Sequence, residues 1–131
     1  MTRGRAILFA ALAVAGTLSA SGLSRGAALG HSLLVRSEPG RNATVTRAPE
    51  RVKLWFSERI EPAYAKLSVW SEAGKLVDAR DAAVAPNDQT LLTVSTPGLG
   101  SGRYTVRFRV LSVDGHVVES SFAFTVKAAS R

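Results

Sequence analysis

The chain has 131 residues, 17 Lys and Arg against 10 Asp and Glu, and no cysteine. That length supports one small domain with one core, and the absence of cysteine means that core holds the fold without disulfides. The formal charge of +7 falls to +4 once Arg3, Arg5 and Arg25 are set aside with the N-terminal leader, and it is dispersed. Neither a basic stripe nor aromatic stacking platforms suggest nucleic acid as a partner.

The chain opens like an export signal. Arg3 and Arg5 make a positive start, and residues 6–20 are apolar without a charge. The small residues of Ala28-Leu29-Gly30 sit where a signal peptidase inspects the chain, so residues 1–30 read as a removed signal peptide and 31–131 as the working domain. Gly22 and Ala28 are alternative cleavage points. Only a cut before His31 frees its α-amine.

Past the leader, short apolar runs recur between turn signals with no sustained period near 3.6, which predicts an all-β fold. Strands are expected over 31–37, over Arg51–Phe56, over 63–71 with a continuation at 75–79, over 89–95, and over 103–112 and 117–127. That makes a single β-sandwich or barrel of about seven strands. Residues 86–88 and 97–102 read as loops.

The last two strands carry a register argument. Tyr104, Val106, Phe108 and Val110 alternate with Arg103, Thr105, Arg107 and Arg109, and Val118, Phe122, Phe124 and Val126 mark the inward face of the final strand. Opposed residues in a hairpin share a face, so inward even-numbered residues must oppose each other and the paired numbers must sum to an even value. A two-residue Asp114-Gly115 turn gives odd sums and is excluded. An odd-length loop or a bulge is required, with sums of 230 pairing Phe108 with Phe122 and Val106 with Phe124.

The loop so defined contains Asp114-Gly115-His116, and His31 and His116 are the two histidines of the chain. If the backbone stays extended, Asp114 and His116 leave the same face with Cα atoms roughly 6.5–7 Å apart. A processed His31 offers an amine and an imidazole from one residue. With His116 and Asp114 this makes three nitrogens and one oxygen, a set suited to Cu(II) in a tetragonal plane. Sulfur ligands for Cu(I) are missing, because the one methionine is Met1. Taken singly, a histidine in such a chain is more often a surface or core residue than a ligand, and Asp-Gly-His is mostly turn chemistry.

His31-Ser32-Leu33-Leu34-Val35-Arg36-Ser37-Glu38-Pro39, the segment from Ala48 through Trp55-Phe56-Ser57-Glu58, the run Gly102-Arg103-Tyr104 through Ser112-Val113-Asp114-Gly115-His116, and Ser121-Phe122-Ala123-Phe124-Thr125-Val126 together resemble the periplasmic copper-binding proteins of the CopC type. The resemblance implies a Greek-key, cupredoxin-like or immunoglobulin-like β fold. It implies one Cu(II) per chain held by His31, Asp114 and His116, and a monomer. Glu58 is then either a weak ligand or outer partner of the metal, or a solvated carboxylate at a strand end. The resemblance also implies copper sequestration, or delivery to a separate CopD-like membrane transporter, in the periplasm. The family's Met-rich Cu(I) loop is absent here.

Two other classes compete with this reading. An N-terminal His with a second His also resembles the histidine brace of copper monooxygenases, although those domains are usually larger. A metal-free immunoglobulin-like interaction module would use Trp55, Trp70 and the Arg103, Arg107 and Arg109 face. A serine triad confined to Ser112, Asp114 and His116 on one short segment lacks the approach it needs.

Overall fold

The computed structural model describes residues 33–127. The expected leader and His31 lie outside them. The described residues form eight strands in two four-stranded sheets, a β-sandwich with Greek-key-like crossings. The strands are β1 (Leu34–Glu38), β2 (Thr44–Val45), β3 (Arg51–Phe56), β4 (Lys66–Ser71), β5 (Ala83–Ala85), β6 (Asp88–Ser95), β7 (Gly102–Leu111) and β8 (Val117–Val126). One sheet runs β1-β3-β6-β5 and the other β2-β8-β7-β4.

Alternation decides what is buried. Val52, Leu54 and Phe56 of β3, Leu92 and Val94 of β6, Tyr104, Val106, Phe108 and Val110 of β7, and Val118, Phe122, Phe124 and Val126 of β8 all point between the sheets. Each such side chain contributes about 1.5–3 kcal/mol by leaving water. Phe56 meets Phe108 edge to face with ring centroids 5.7 Å apart, which joins the two sheets near one end of the sandwich.

The register has the expected parity and a different offset. Tyr104 opposes Phe124, Val106 opposes Phe122 and Phe108 opposes Ser120, so the pairs sum to 228 rather than 230. The last pair is Leu111 with Val117. Five residues, 112–116, then close the hairpin, an odd count as the alternation demands.

Other expectations are corrected. Residues 62–64 form a 3-10 turn rather than the start of a strand, because Pro62 pre-sets a helical φ and has no amide for a ladder. Residues 75–79 make no strand of their own. They follow the edge of β4 through a Trp70 to Leu76 bridge, and Asp78 accepts the Val69 amide at 2.8 Å. The short strands β2 and β5 were not expected; at two and three residues they carry too little pattern to read.

Candidate metal centre

The site lies at one end of the sandwich, where two chain segments meet. After β3 the chain crosses from one sheet to the other. The Ile60 amide donates to the Gln89 carbonyl at 2.9 Å, while the Glu61 amide donates to Leu111 at 2.8 Å and the Val113 amide to Arg59 at 3.0 Å. Ile60 is buried and bridges to Ser112. This staple carries Glu58 against the β7–β8 loop.

The loop is folded rather than extended. The Gly115 amide donates to the Ser112 carbonyl at 3.0 Å, closing a turn over Val113 and Asp114, and the Ser112 amide donates to His116 at 2.8 Å. Gly115 has φ of +96°, a conformation L side chains rarely adopt, and open space where a Cβ would stand. Backbone conformation, not crowding, therefore selects glycine here. Asp114 and His116 still converge, but through a turn and not through strand alternation.

Their convergence is organised by Ser112, which is 1% exposed. Its hydroxyl donates to Asp114 Oδ1 and accepts the His116 amide at 3.1 Å. The same Oδ1 lies 3.0 Å from His116 Nδ1. An ionised carboxylate can only accept, so Nδ1 carries the proton and the ring's lone pair sits on Nε2. His116 keeps Nε2 as its lone-pair donor, and Asp114 has Oδ2 besides the oxygen that Ser112 and His116 share. The side chains are 45% and 71% exposed, so the pair opens to solvent.

The Ser112 hydroxyl is the main influence holding the Asp114 carboxyl below the usual value of 3.8; partial desolvation opposes it, and Glu58 and His116 add to the lowering. A lowered value keeps the carboxylate ionised in mild acid.

Ligating atoms of Glu58, Asp114 and His116 all lie within 4.8 Å of one another. Glu58 Oε2 is buried with no hydrogen-bond partner among the described residues. A buried carboxylate oxygen without a partner is costly, and a cation is the kind of partner that removes the cost. The donor set therefore fits a metal ion. Of the residues expected from sequence, Asp114, His116 and Glu58 are brought together, and His31 lies outside the described residues. Sequence alone places Ser112 in an excluded triad and in the motif that carries the family resemblance, with no role at the metal. It continues the inward row Tyr104, Val106, Phe108 and Val110, and a polar residue at a buried position calls for a partner, a signal that was available.

Residues 34–127 match the model of the CopC domain. The chain belongs to the CopC family. A copper resistance protein C of Xanthomonas campestris pv. juglandis is 32% identical over 125 residues, covering 91% of this chain and 98% of that protein. The crystal structure of CopC from Methylosinus trichosporium OB3b matches with a TM-score of 0.70 and 40% identity over 77% of this chain and 98% of that one. PcoC, a methionine-rich copper resistance protein from Escherichia coli, matches with a TM-score of 0.60 and 28% identity over 72% of this chain and 97% of that one. Membership supports copper handling as the coarse function of this CopC-family domain. The contrast with PcoC is chemical, since residues 33–127 here contain no methionine.

Proposed function

We propose that the exported chain, cut before His31, is a periplasmic binder of one Cu(II) per molecule. His31 gives its α-amine and imidazole, His116 its Nε2 and Asp114 its Oδ2. Glu58 stands beside the ion as an outer or weak ligand. Three nitrogens and a carboxylate oxygen suit Cu(II), and the mature chain has no sulfur ligand for Cu(I).

The observation that carries this reading is the convergence of Glu58, Asp114 and His116 around an unpartnered buried carboxylate oxygen. The position of Leu33 supports the part assigned to His31. Its carbonyl accepts the Ser57 amide at 2.6 Å, beside Glu58, and two residues of chain reach at most about 7 Å.

With Asp114 completing the plane, the domain is a binder rather than an oxidase, and it sequesters copper or passes it to a separate CopD-type membrane protein. Titration of the processed protein with Cu(II), followed by electron paramagnetic resonance, tests this directly. One tetragonal nitrogen-rich Cu(II) per chain, lost in His116→Ala, is expected. A protein that binds no Cu(II) when correctly processed would sink the reading.

A further inference from the structure

The outer face of the β2-β8-β7-β4 sheet gathers cations in a way the copper reading does not use. Lys66 stands directly opposite Arg109, and Ser68 opposite Arg107, so Lys66, Arg107 and Arg109 crowd the half of the face nearest the β7–β8 loop. Like charges directly opposed on a sheet are destabilising. Acidic relief is sparse: Arg109 approaches Glu119 at 3.8 Å between exposed side chains, and Glu72 borders the far edge near Arg103. Lys66 and Arg107 form no ion pair among the described residues. Arg107 is instead propped over the Trp70 ring, its guanidinium carbon 5.3 Å from the centroid, while the indole N–H donates to Ser68 Oγ at 2.9 Å. The groove above these residues, lined by Lys66, Ser68, Arg107 and Arg109, is an open one of about 540 Å³.

Exposed apolar side chains stand at or near the loop end of this sheet. Val117 opposes Leu111 as the last pair and is 56% exposed, Val113 in the loop is 46% exposed, and Tyr64 is 63% exposed in the 3-10 turn that follows the Glu61 to Leu111 hydrogen bond. A plane of cations bordered by a few aliphatic and aromatic side chains is the pattern of a protein that lies on an anionic bilayer.

We propose that this face docks on an anionic membrane surface, with Lys66, Arg107 and Arg109 on the headgroup phosphates and Val113 and Val117 at the interface. Charge complementarity favours an anionic surface, and the open, shallow form of the face favours a planar partner over one that inserts a side chain. Docked in this way, the β7–β8 loop sits at the membrane surface rather than facing away from it. The inference is independent of the copper reading, since docking is read without metal.

The test is co-sedimentation of the exported, leader-free protein with vesicles of phosphatidylcholine alone or mixed with phosphatidylglycerol. Binding is expected to the phosphatidylglycerol vesicles only, and to be lost as added salt shortens the screening length from about 10 Å to about 3 Å. The triple variant Lys66→Glu, Arg107→Glu, Arg109→Glu should lower the partition coefficient about a hundredfold or more, since each basic contact is worth about fivefold. The control triple Arg36→Glu, Arg51→Glu, Lys53→Glu, on the opposite sheet, changes net charge equally and should bind far better than the first. Val113→Ser with Val117→Ser leaves the charge unchanged and should also weaken binding. Failure to bind phosphatidylglycerol vesicles overturns the proposal, as does equal loss in the two triples. Retention on immobilised polyglutamate with no vesicle binding would assign the face to an acidic protein instead.

Discussion

The hydroxyl of Ser112 donates to Asp114 while accepting the backbone amide of His116, so one buried oxygen fixes both of the exposed ligands proposed for copper. A metal site whose ligands are held before the ion arrives loses less ordering entropy on binding. Groups that orient ligands typically matter by 10–100-fold in metal affinity.

Ser112→Ala is therefore expected to weaken Cu(II) binding by about 10–100-fold and to destabilise the metal-free fold by about 1–3 kcal/mol, because the His116 amide loses its hydroxyl partner. Competition titration gives the first quantity and urea unfolding the second. A variant that loses stability and keeps wild-type affinity and spectrum would reduce Ser112 to a structural role.

Removing ligands should cost more than removing their supports. His116→Ala and Asp114→Asn are each expected to weaken Cu(II) binding by more than about 100-fold, and Glu58→Gln by about 10–100-fold with a shifted resonance spectrum. An unchanged spectrum and affinity in Glu58→Gln would mean that the Glu58 carboxylate takes no part in holding the ion.

Acid should release copper through the nitrogens first. The Asp114 carboxyl is held below 3.8, chiefly by Ser112, and stays ionised in mild acid, whereas nitrogen ligands must be deprotonated to bind a metal. In the metal-free protein the sign is that of any depressed carboxylate. Its contribution to stability is present above pH 3.8 and is lost as pH falls through the lowered folded value. Thermal unfolding of wild type and Asp114→Asn across this range should converge in strong acid and separate above it.

Phe108 tests the frame behind the loop. It is buried against Phe56 and lies four residues before Ser112, and Phe108→Ala should cost about 3–5 kcal/mol in denaturant unfolding. A loss below about 1 kcal/mol would mean that the end of the sandwich carrying the site is not tied to the core.

The alternation of Tyr104, Val106, Phe108 and Val110 against the arginines made the β7–β8 hairpin legible, including the odd length of its loop. The offset was not, because 228 and 230 satisfy the parity equally. The offset rests on which residues close the turn, and there the Ser112 hydroxyl, the Gly115 backbone and the residue 59–61 staple decide. Asp114 and His116 were legible as a pair for a partly mistaken reason: they converge because the backbone turns between them. Glu58 was visible only through family resemblance, since no local pattern links it to a loop more than fifty residues away. Tertiary hydrogen bonds of Arg59 and Glu61 supply that link.

The central claim, that a histidine freed at the N-terminus completes a Cu(II) site with Asp114 and His116, is tested most directly by the intact mass of the exported protein with and without Cu(II). A chain beginning at His31 that gains one copper is expected, with the adduct lost both in His116→Ala and when a residue is added before His31. A mature chain beginning elsewhere, or a copper adduct indifferent to that added residue, would contradict it.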